Sequence, residues 1–545
     1  MQKIKNLLRK DWTIILLLFF AGLLLYVNTF KGPFLWDDIA LVVENEHVHS
    51  FKFFKTWFTE SALNGAGITH SSLYRPLATI VNASIYGVFG ESAIAYRIVM
   101  FLMHFGSSVL VFNLFKKLSF SRVAGIFAAF LFLAHPVQTE SVSYIAGMAD
   151  VLSGLMILLG LNLFLSEKFK SPGIQIISVA GIFILALLSK EIGIILLPLV
   201  ALLMIYKWKI FTPSQKKSSI QTIVTLAIIG GTYIILKLTA LNFTGDLKLT
   251  ELTNEYTESI FIRLITFITA IWEYFKLTFF PKDLFFEKPF NFHSNLIGAS
   301  QIFGYLTVLT GLLFSYKFFR KGSRKFFLGF FWFFAALVPV SGIIVSNATY
   351  AEHWLYLPII GIIILLAAGY DSLKGHYKKI FAGILILAII TLSVRTIYRN
   401  SEWADPESFY KNELKHNPGS PRLYNQMGRL EFKRGNANRA IKYFSEGLVK
   451  DQDRMLYVIP YNLGNAQFRI GDYTAAINSY FLSLEINPNN RKAHNMLYET
   501  FNELSMSDET NKTLQFLERI DNGEVLSNTE IREFYFSLPS SIKQF

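Results

Sequence analysis

The 545 residues are 52% apolar and 16% aromatic, far more than the core of a soluble enzyme of this size takes up, so most of the surplus must face lipid. The formal charge of +13 would suit a nucleic-acid binder, yet many Lys and Arg residues sit in short clusters between apolar spans, as membrane orientation requires. Membrane lipids rather than nucleic acid are the expected partner, and the absence of cysteine removes disulfides, thiolate nucleophiles and thiolate metal ligands.

The first apolar stretch, 12 to 30, follows Lys3, Lys5, Arg9 and Lys10 without a small-residue cleavage site, so it reads as an uncleaved first helix with a cytoplasmic N-terminus. Further spans are predicted at 93–115, 121–136, 149–166, 173–189, 191–206, 219–240, 299–319, 326–346, 352–371 and 379–397. That makes about eleven, each near the roughly 17 to 25 residues that a hydrocarbon layer requires. The clusters Lys116-Lys117-Arg122, Lys168-Lys170, Lys207-Lys209-Lys216-Lys217, Arg320-Lys321-Arg324-Lys325 and Lys374-Lys378-Lys379 then all fall on the side of the N-terminus. This agreement requires that Ile260 to Phe280 does not cross; its Arg263, Glu273 and Lys276 predict an interfacial or re-entrant helix. An odd number of spans sends the loops 31–92 and 241–298, and everything after Tyr398, to the extracytoplasmic side.

From about 401 onward, helical periodicity is broken by Gly-Asn, Gly-Asp and Asn-Pro turns. Tyr424, Met427, Gly428, Ala440 and Phe444 follow the small-and-large pattern of a tetratricopeptide repeat, and Leu463, Gly464, Ala476, Tyr480 and Pro488 repeat it. Gly428 and Gly464 are 36 positions apart, which places a two-residue insertion near Met455 in a period of about 34. A half repeat, Trp403 to Pro418, and a degenerate segment after Asn490 would cap the array. The expected fold is therefore all-α: a polytopic membrane bundle over 1–398, then a tetratricopeptide α-solenoid over 399–545.

Ionisable groups at membrane depth cost about 2.5 kcal/mol or more each, so their positions carry information. Asp37 and Asp38 follow the first span directly, and the same loop ends at Tyr74-Arg75-Pro76-Leu77. Adjacent carboxylates raise each other's pKa, which suits a general base, and an arginine nearby suits a phosphate. An ordinary acidic loop beside a helix end is the plain alternative. His135, Glu140 and Asp150 occupy the outer end of the third span and the start of the fourth. Ser189-Lys190-Glu191 separates the fifth and sixth spans with almost no loop, and Glu352 and His353 open the tenth. Local ion pairing and interfacial anchoring account for such turns singly, but four outer turns bring them to one level. His135, Glu140, His353 and Asp37 leave a divalent cation open as a cofactor, although their spacing demands none. No H-E-x-x-H, P-loop or G-x-S-x-G motif occurs, which weakens metalloprotease, nucleotide hydrolase and serine hydrolase readings.

In order along the chain, Phe34-Leu35-Trp36-Asp37-Asp38, Tyr74-Arg75-Pro76-Leu77, His135-Pro136-x-x-Thr139-Glu140, Ala149-Asp150-x-Leu152, Ser189-Lys190-Glu191 and Ala351-Glu352-His353-x-Leu355-Tyr356-Leu357-Pro358 resemble the transmembrane and tetratricopeptide-repeat O-mannosyltransferases. That family lies within the GT-C superfamily of polyprenyl-phosphate-sugar transferases. The resemblance implies a GT-C-type bundle and an inverting transfer of a hexose, most simply mannose, from a polyprenyl-phosphate-linked sugar to Ser or Thr of a protein or peptide held by the repeats. It makes Asp37 the base and Asp38 its orienting partner. The family's arginines are replaced here by Met148 and His353, which leaves Arg75, Arg97, Lys190 and His353 for the donor phosphate, with His135, Glu140, Asp150, Glu191 and Glu352 in support. A glycan or lipid acceptor, a membrane-anchored interaction protein and a transporter are the competing readings. The lack of cysteine favours a bacterial inner membrane, while Asn82-Ala83-Ser84 and Asn242-Phe243-Thr244 would also permit an endoplasmic reticulum protein.

Overall fold

The computed structural model describes residues 10–68, 71, 73–239, 241, 255–320, 322–346, 348–451 and 456–543. Lys3, Lys5, Arg9, Lys321, Met455 and the 242–244 sequon lie outside them. Among the described residues every regular element is helical. The chain divides into two compact units, Met1–Asp405 and Pro406–Phe545, so Trp403 lies in the first.

Helix starts in the first unit follow local chemistry. Ser121, Ser171 and Ser259 each accept the backbone N–H three residues on, and Thr212 forms a reciprocal capping box with Gln215. Pro172 and Pro213 sit at the first helical position, where a missing N–H costs nothing. Among the described residues seven helices are long and apolar enough to cross a membrane: Asp11–Lys31, Ala93–Lys117, Ile145–Phe164, Pro172–Ser189, Pro213–Leu238, Ala299–Arg320 and Gly375–Ala404. The pair Arg122–Ala134 and Pro136–Ser143, bent by 49°, makes an eighth if it is one span. The protein is a multi-pass membrane protein.

The expected count of about eleven exceeds this number by three shorter segments. The stretches predicted at 191–206, 326–346 and 352–371 contain α-helices of 12, 14 and 14 residues, Leu196–Lys207, Arg324–Leu337 and Ile359–Ser372; the 3-10 turns Glu191–Ile195 and Val338–Val340 continue the first two, and His353–Leu355 precedes the third. With those turns the first two run 17 residues each, at the short end of the roughly 17 to 25 that a hydrocarbon layer requires. Hydropathy registered their apolar content, which serves protein contact: most of Ile359–Ser372 is buried. Gly329 and Gly361 let two of these helices touch, since a Cβ on Gly329 would stand 2.7 Å from the Gly361 carbonyl. The span Ile145–Phe164 is 78% buried and central, whereas Ala299–Arg320 and Gly375–Ala404 are 11% buried and turn their apolar sides outward. Ile260–Phe279 is a 20-residue helix outside the crossing set. Its Arg263 is buried, donating to the carbonyls of Gly342, Tyr256 and Thr257 at 2.7, 3.1 and 2.9 Å.

In the second unit, Pro406–His416 precedes the antiparallel pairs Pro421–Lys433 with Ala437–Lys450, Val458–Arg469 with Tyr473–Ile486, and Arg491–Glu503 with Ser507–Asp521. Asn528–Ser537 closes the array, packing Phe534 and Tyr535 on Phe481. The sequence after Asn490 is thus a full helical pair with a capping helix. Within each matched repeat a glycine faces an aromatic ring. A Cβ on Gly428 would stand 2.4 Å from Phe444, and one on Gly464 the same distance from Tyr480.

Gly464→Ala therefore overpacks its repeat, at about 1–3 kcal/mol. Limited proteolysis of the full chain in detergent is expected to cut within 458–486 earlier in this variant than in wild type, while cleavage rates in the first unit stay unchanged.

Candidate active site

The first helical stretch ends at Lys31, and the chain leaves it through Gly32-Pro33 into the acidic turn. Arg97, buried on the helix Ala93–Lys117, fixes this exit. Its guanidinium donates to the Gly32 carbonyl, to Pro33 at 2.6 Å and to Ser143 at 3.2 Å. Asp38 is fully buried and clamps the turn from the other side. Its Oδ2 accepts the Leu35 N–H at 2.9 Å and its Oδ1 the Ala146 N–H at 2.7 Å, tying residues 35–38 to the segment before Met148. Burial pushes this carboxyl up to about 7, against the pull of the Leu35 N–H, the Arg97 guanidinium and the Ala146 N–H.

Between these anchors Trp36 takes φ +50°, a left-handed conformation that a bulky residue adopts only when its surroundings impose it. That turn leaves Asp37 exposed beside the buried Asp38. The Asp37 N–H donates to the Tyr144 hydroxyl at 2.9 Å. Burial, with Asp37 and Asp38 close by, holds the Tyr144 phenol well above its ordinary pKa and so neutral. Tyr144 stacks on Trp403 at 5.3 Å, and Phe286 packs edge-on against Trp36, Tyr144 and Trp403. The exposed carboxylate thus stands on an aromatic floor.

A second group of charges gathers nearby in the fold. The Lys190 ammonium donates to both carboxylate oxygens of Asp150, at 2.7 and 2.9 Å, and both side chains are buried. Arg75 and His353 act electrostatically on the same Asp150, and Arg75 and Lys190 on Glu191. Glu140, 3% exposed, accepts the His353 Nδ1 at 2.5 Å and its backbone N–H at 3.1 Å. Two buried atoms here have no hydrogen-bond partner among the described residues, Arg75 Nε and Glu191 Oε2. A third pair, Glu352 with Lys288 at 2.9 Å, is buried on both sides, and Glu352 also accepts the Phe285 N–H at 2.7 Å.

Sequence-predicted residues thus fall into three groups. Asp37, Asp38 and Arg97 share the exit turn. Arg75, Glu140, Asp150, Lys190, Glu191 and His353 form the charged cluster, and Glu352 stands with Lys288. His135 belongs to none of them: its Nε2 meets the Thr278 carbonyl at 2.9 Å and its Nδ1 accepts the Val137 N–H at 3.3 Å, so it joins helix ends. Arg97 spends its guanidinium on three backbone carbonyls. Among the described residues no three His, Asp or Glu side chains converge as a metal site. Sequence reasoning missed Lys288, Tyr144 and Phe286. Lys288 sits in a long loop beside a proline, and no spacing links it to Glu352, 64 positions on.

Fold and site together define a multi-pass helical membrane protein joined to a tetratricopeptide array. A tetratricopeptide-repeat family profile matches residues 461–490. The chain is 26% identical over 456 residues to Protein O-mannosyl-transferase F38B6.6 of Caenorhabditis elegans, covering 80% of this chain and 62% of that protein. It is 25% identical over 484 residues to Protein O-mannosyl-transferase TMTC4 of Mus musculus, covering 78% and 65%. A shorter match to Protein O-mannosyl-transferase tmtc2 of Xenopus laevis is 36% identical over 155 residues, covering 27% and 18%. The relatives of this chain are the transmembrane and tetratricopeptide-repeat O-mannosyltransferases. It spans about three fifths of the length of the first two.

Two outcomes follow from the buried charges. Asp38 has a folded pKa raised from 3.8 to about 7, so across that window the folded chain keeps a proton that the unfolded chain has released. The Asp38 contribution to stability is expected to fall as pH rises through the window and to level off above it; in thermal melts in one detergent, the melting temperature of Asp38→Asn relative to wild type should rise across this range and then hold constant. Lys288→Met strands the Glu352 carboxylate and is expected to cost about 3–5 kcal/mol. Adding Glu352→Gln, which keeps an acceptor for the Phe285 N–H, should restore most of the melting temperature.

Proposed function

We propose that this chain is an inverting glycosyltransferase that moves a hexose, mannose by the likeness to its relatives, from a polyprenyl-phosphate carrier to Ser or Thr hydroxyls of secreted or membrane proteins. The observation that carries the reading is the Asp37-Asp38 turn. One carboxylate is immobilised by two backbone N–H groups, and its neighbour is exposed, with its own N–H held by Tyr144. A base must keep its position while its oxygens stay accessible, and this division supplies both.

In this mechanism the acceptor hydroxyl gives its proton to the Asp37 carboxylate as its oxygen attacks the anomeric carbon from the face opposite the phosphate. The bond from the anomeric carbon to the phosphate oxygen breaks, and the lipid phosphate leaves with the electron pair. Negative charge grows on that phosphate, and Arg75 is the cation assigned to it, because its Nε is buried without a partner among the described residues. Lys190 is already neutralised by Asp150 and His353 is held by Glu140, so both act in this reading by orienting the site. Arg97 becomes a positioning residue that holds the turn rather than a phosphate ligand.

We assign transfer to residues 1–398, with the loops 31–92 and 241–298, and acceptor binding to the repeats in 399–545. Both lie on the extracytoplasmic side of a bacterial inner membrane in this proposal. The distribution of basic clusters supports that orientation.

The test is transfer of radiolabelled mannose from a short-chain polyprenyl phosphate to Ser- and Thr-containing peptides by the purified full chain in detergent. Asp37→Asn is expected to lower the rate by about 10²–10⁴-fold with an unchanged melting temperature. Wild-type transfer that survives the substitution would remove Asp37 from the base role. Failure of the wild type with several donor sugars would overturn the reading.

A further inference from the structure

The membrane unit has a second polar concavity, at the end away from the acidic turn. Twenty residues of the helix Ala93–Lys117 separate Arg97 from Lys117, about 30 Å at 1.5 Å per residue. At the Lys117 end lies a cavity of about 510 Å³, within the range of small-molecule sites. We propose that it binds a phosphate-bearing anion.

The lining selects for negative charge. Lys117 and Lys207 both face the cavity, and Lys207 is only 9% exposed. Among the described residues the Lys207 ammonium makes one hydrogen bond, to Ser119 Oγ at 3.3 Å, which leaves two of its three donors. The N-termini of Pro172–Ser189 and Pro213–Leu238 open on the same space through Ser171, Thr212 and Ser218. Ser171 and Thr212 use an oxygen lone pair each to cap their helices, and the hydroxyl hydrogens remain. Ser218 is 7% exposed, and its hydroxyl has no protein partner among the described residues.

One element would repel an anion here, the carboxyl end of Met148–Phe164, and it is already neutralised. Lys117 donates to the Asn162 carbonyl, and Gln175 Nε2 donates to those of Leu163, Phe164 and Ser166 at 3.1, 2.7 and 3.1 Å. Glu167 also lines the cavity, so two lysines and two helix N-termini stand against one carboxylate. Ile210, another lining residue, is 71% exposed, which puts the mouth beside the apolar flank of the bundle. Such a position admits a lipid headgroup from the side as readily as a soluble phosphate from the water.

The experiment uses the purified full chain in a neutral detergent. Dioleoylphosphatidic acid is added and counted by native mass spectrometry, with dioleoylglycerol as the same lipid lacking phosphate, and radiolabelled inorganic phosphate is tested separately by equilibrium dialysis. Binding of either phosphate probe is expected, with no binding of dioleoylglycerol. Lys207→Met should weaken it about tenfold, as loss of a charge-assisted hydrogen bond does, and Ser218→Ala several-fold. Lys209→Met, at an exposed lysine of the same end outside the lining, should leave it unchanged. If Lys207→Met destabilises the chain, Ser218→Ala decides alone. Retention of the lipid alone identifies a headgroup site, and displacement of the lipid by inorganic phosphate identifies a soluble ligand. Equal affinity in wild type, Lys207→Met and Ser218→Ala, or an equal loss in Lys209→Met, would overturn the proposal.

Discussion

A carboxyl group sealed from water keeps its place only if the surrounding backbone supplies its hydrogen bonds, and Asp38 meets that condition with two N–H groups from segments more than 100 positions apart. Arg97 applies the same rule in reverse, donating to three carbonyls, two of them on the buried residues Gly32 and Ser143. Between them they fix where the chain leaves its first helix, and the left-handed Trp36 is the conformational cost of that fixed path. The exposure of Asp37 is a consequence.

The charged cluster around Asp150 obeys a related economy. In a low-dielectric setting an unmatched charge is expensive, so most of its members neutralise one another: Lys190 with Asp150, His353 with Glu140. Such pairs contribute little net stability, but they fix geometry. Arg75 is the member whose guanidinium retains an unsatisfied buried N–H, and Glu191 retains an unsatisfied oxygen. The proposed mechanism turns on Arg75 rather than on Lys190 because Asp150 already holds the Lys190 ammonium.

Much of this was legible in the sequence because the signals were chemical. Long apolar runs, basic clusters and the glycine-aromatic pairs Gly428 with Phe444 and Gly464 with Tyr480 each have one straightforward physical reading. Hydropathy does not tell an apolar segment that packs on protein from one that faces lipid, so the burial of Ile359–Ser372 was not legible. In the site, the acidic pair and the outer charged turns stood out because charge is rare near such runs. Lys288, Tyr144 and Phe286 did not stand out. A lysine in a loop and aromatics in an aromatic-rich chain are ordinary residues, and only the fold brings Lys288 to Glu352 or stacks Tyr144 on Trp403. The sequence likewise presents Arg97 as one more cation; that it serves the backbone emerges only from its three partners.

The short helices also explain how polar chemistry is possible at this depth. A full-length span satisfies its own backbone and leaves no irregular segment to carry a site, whereas Leu196–Lys207 and Ile359–Ser372 stop short and are preceded by tight turns bearing Lys190, Glu191, Glu352 and His353. Irregular backbone of that kind survives near lipid only when protein surrounds it, and the longer helices provide the surround. Ala299–Arg320 and Gly375–Ala404 present apolar exteriors to the lipid, while Ile145–Phe164 is enclosed. The division between long lipid-facing helices and short enclosed ones is therefore what lets a chain this apolar gather its charges in one region without exposing them to hydrocarbon.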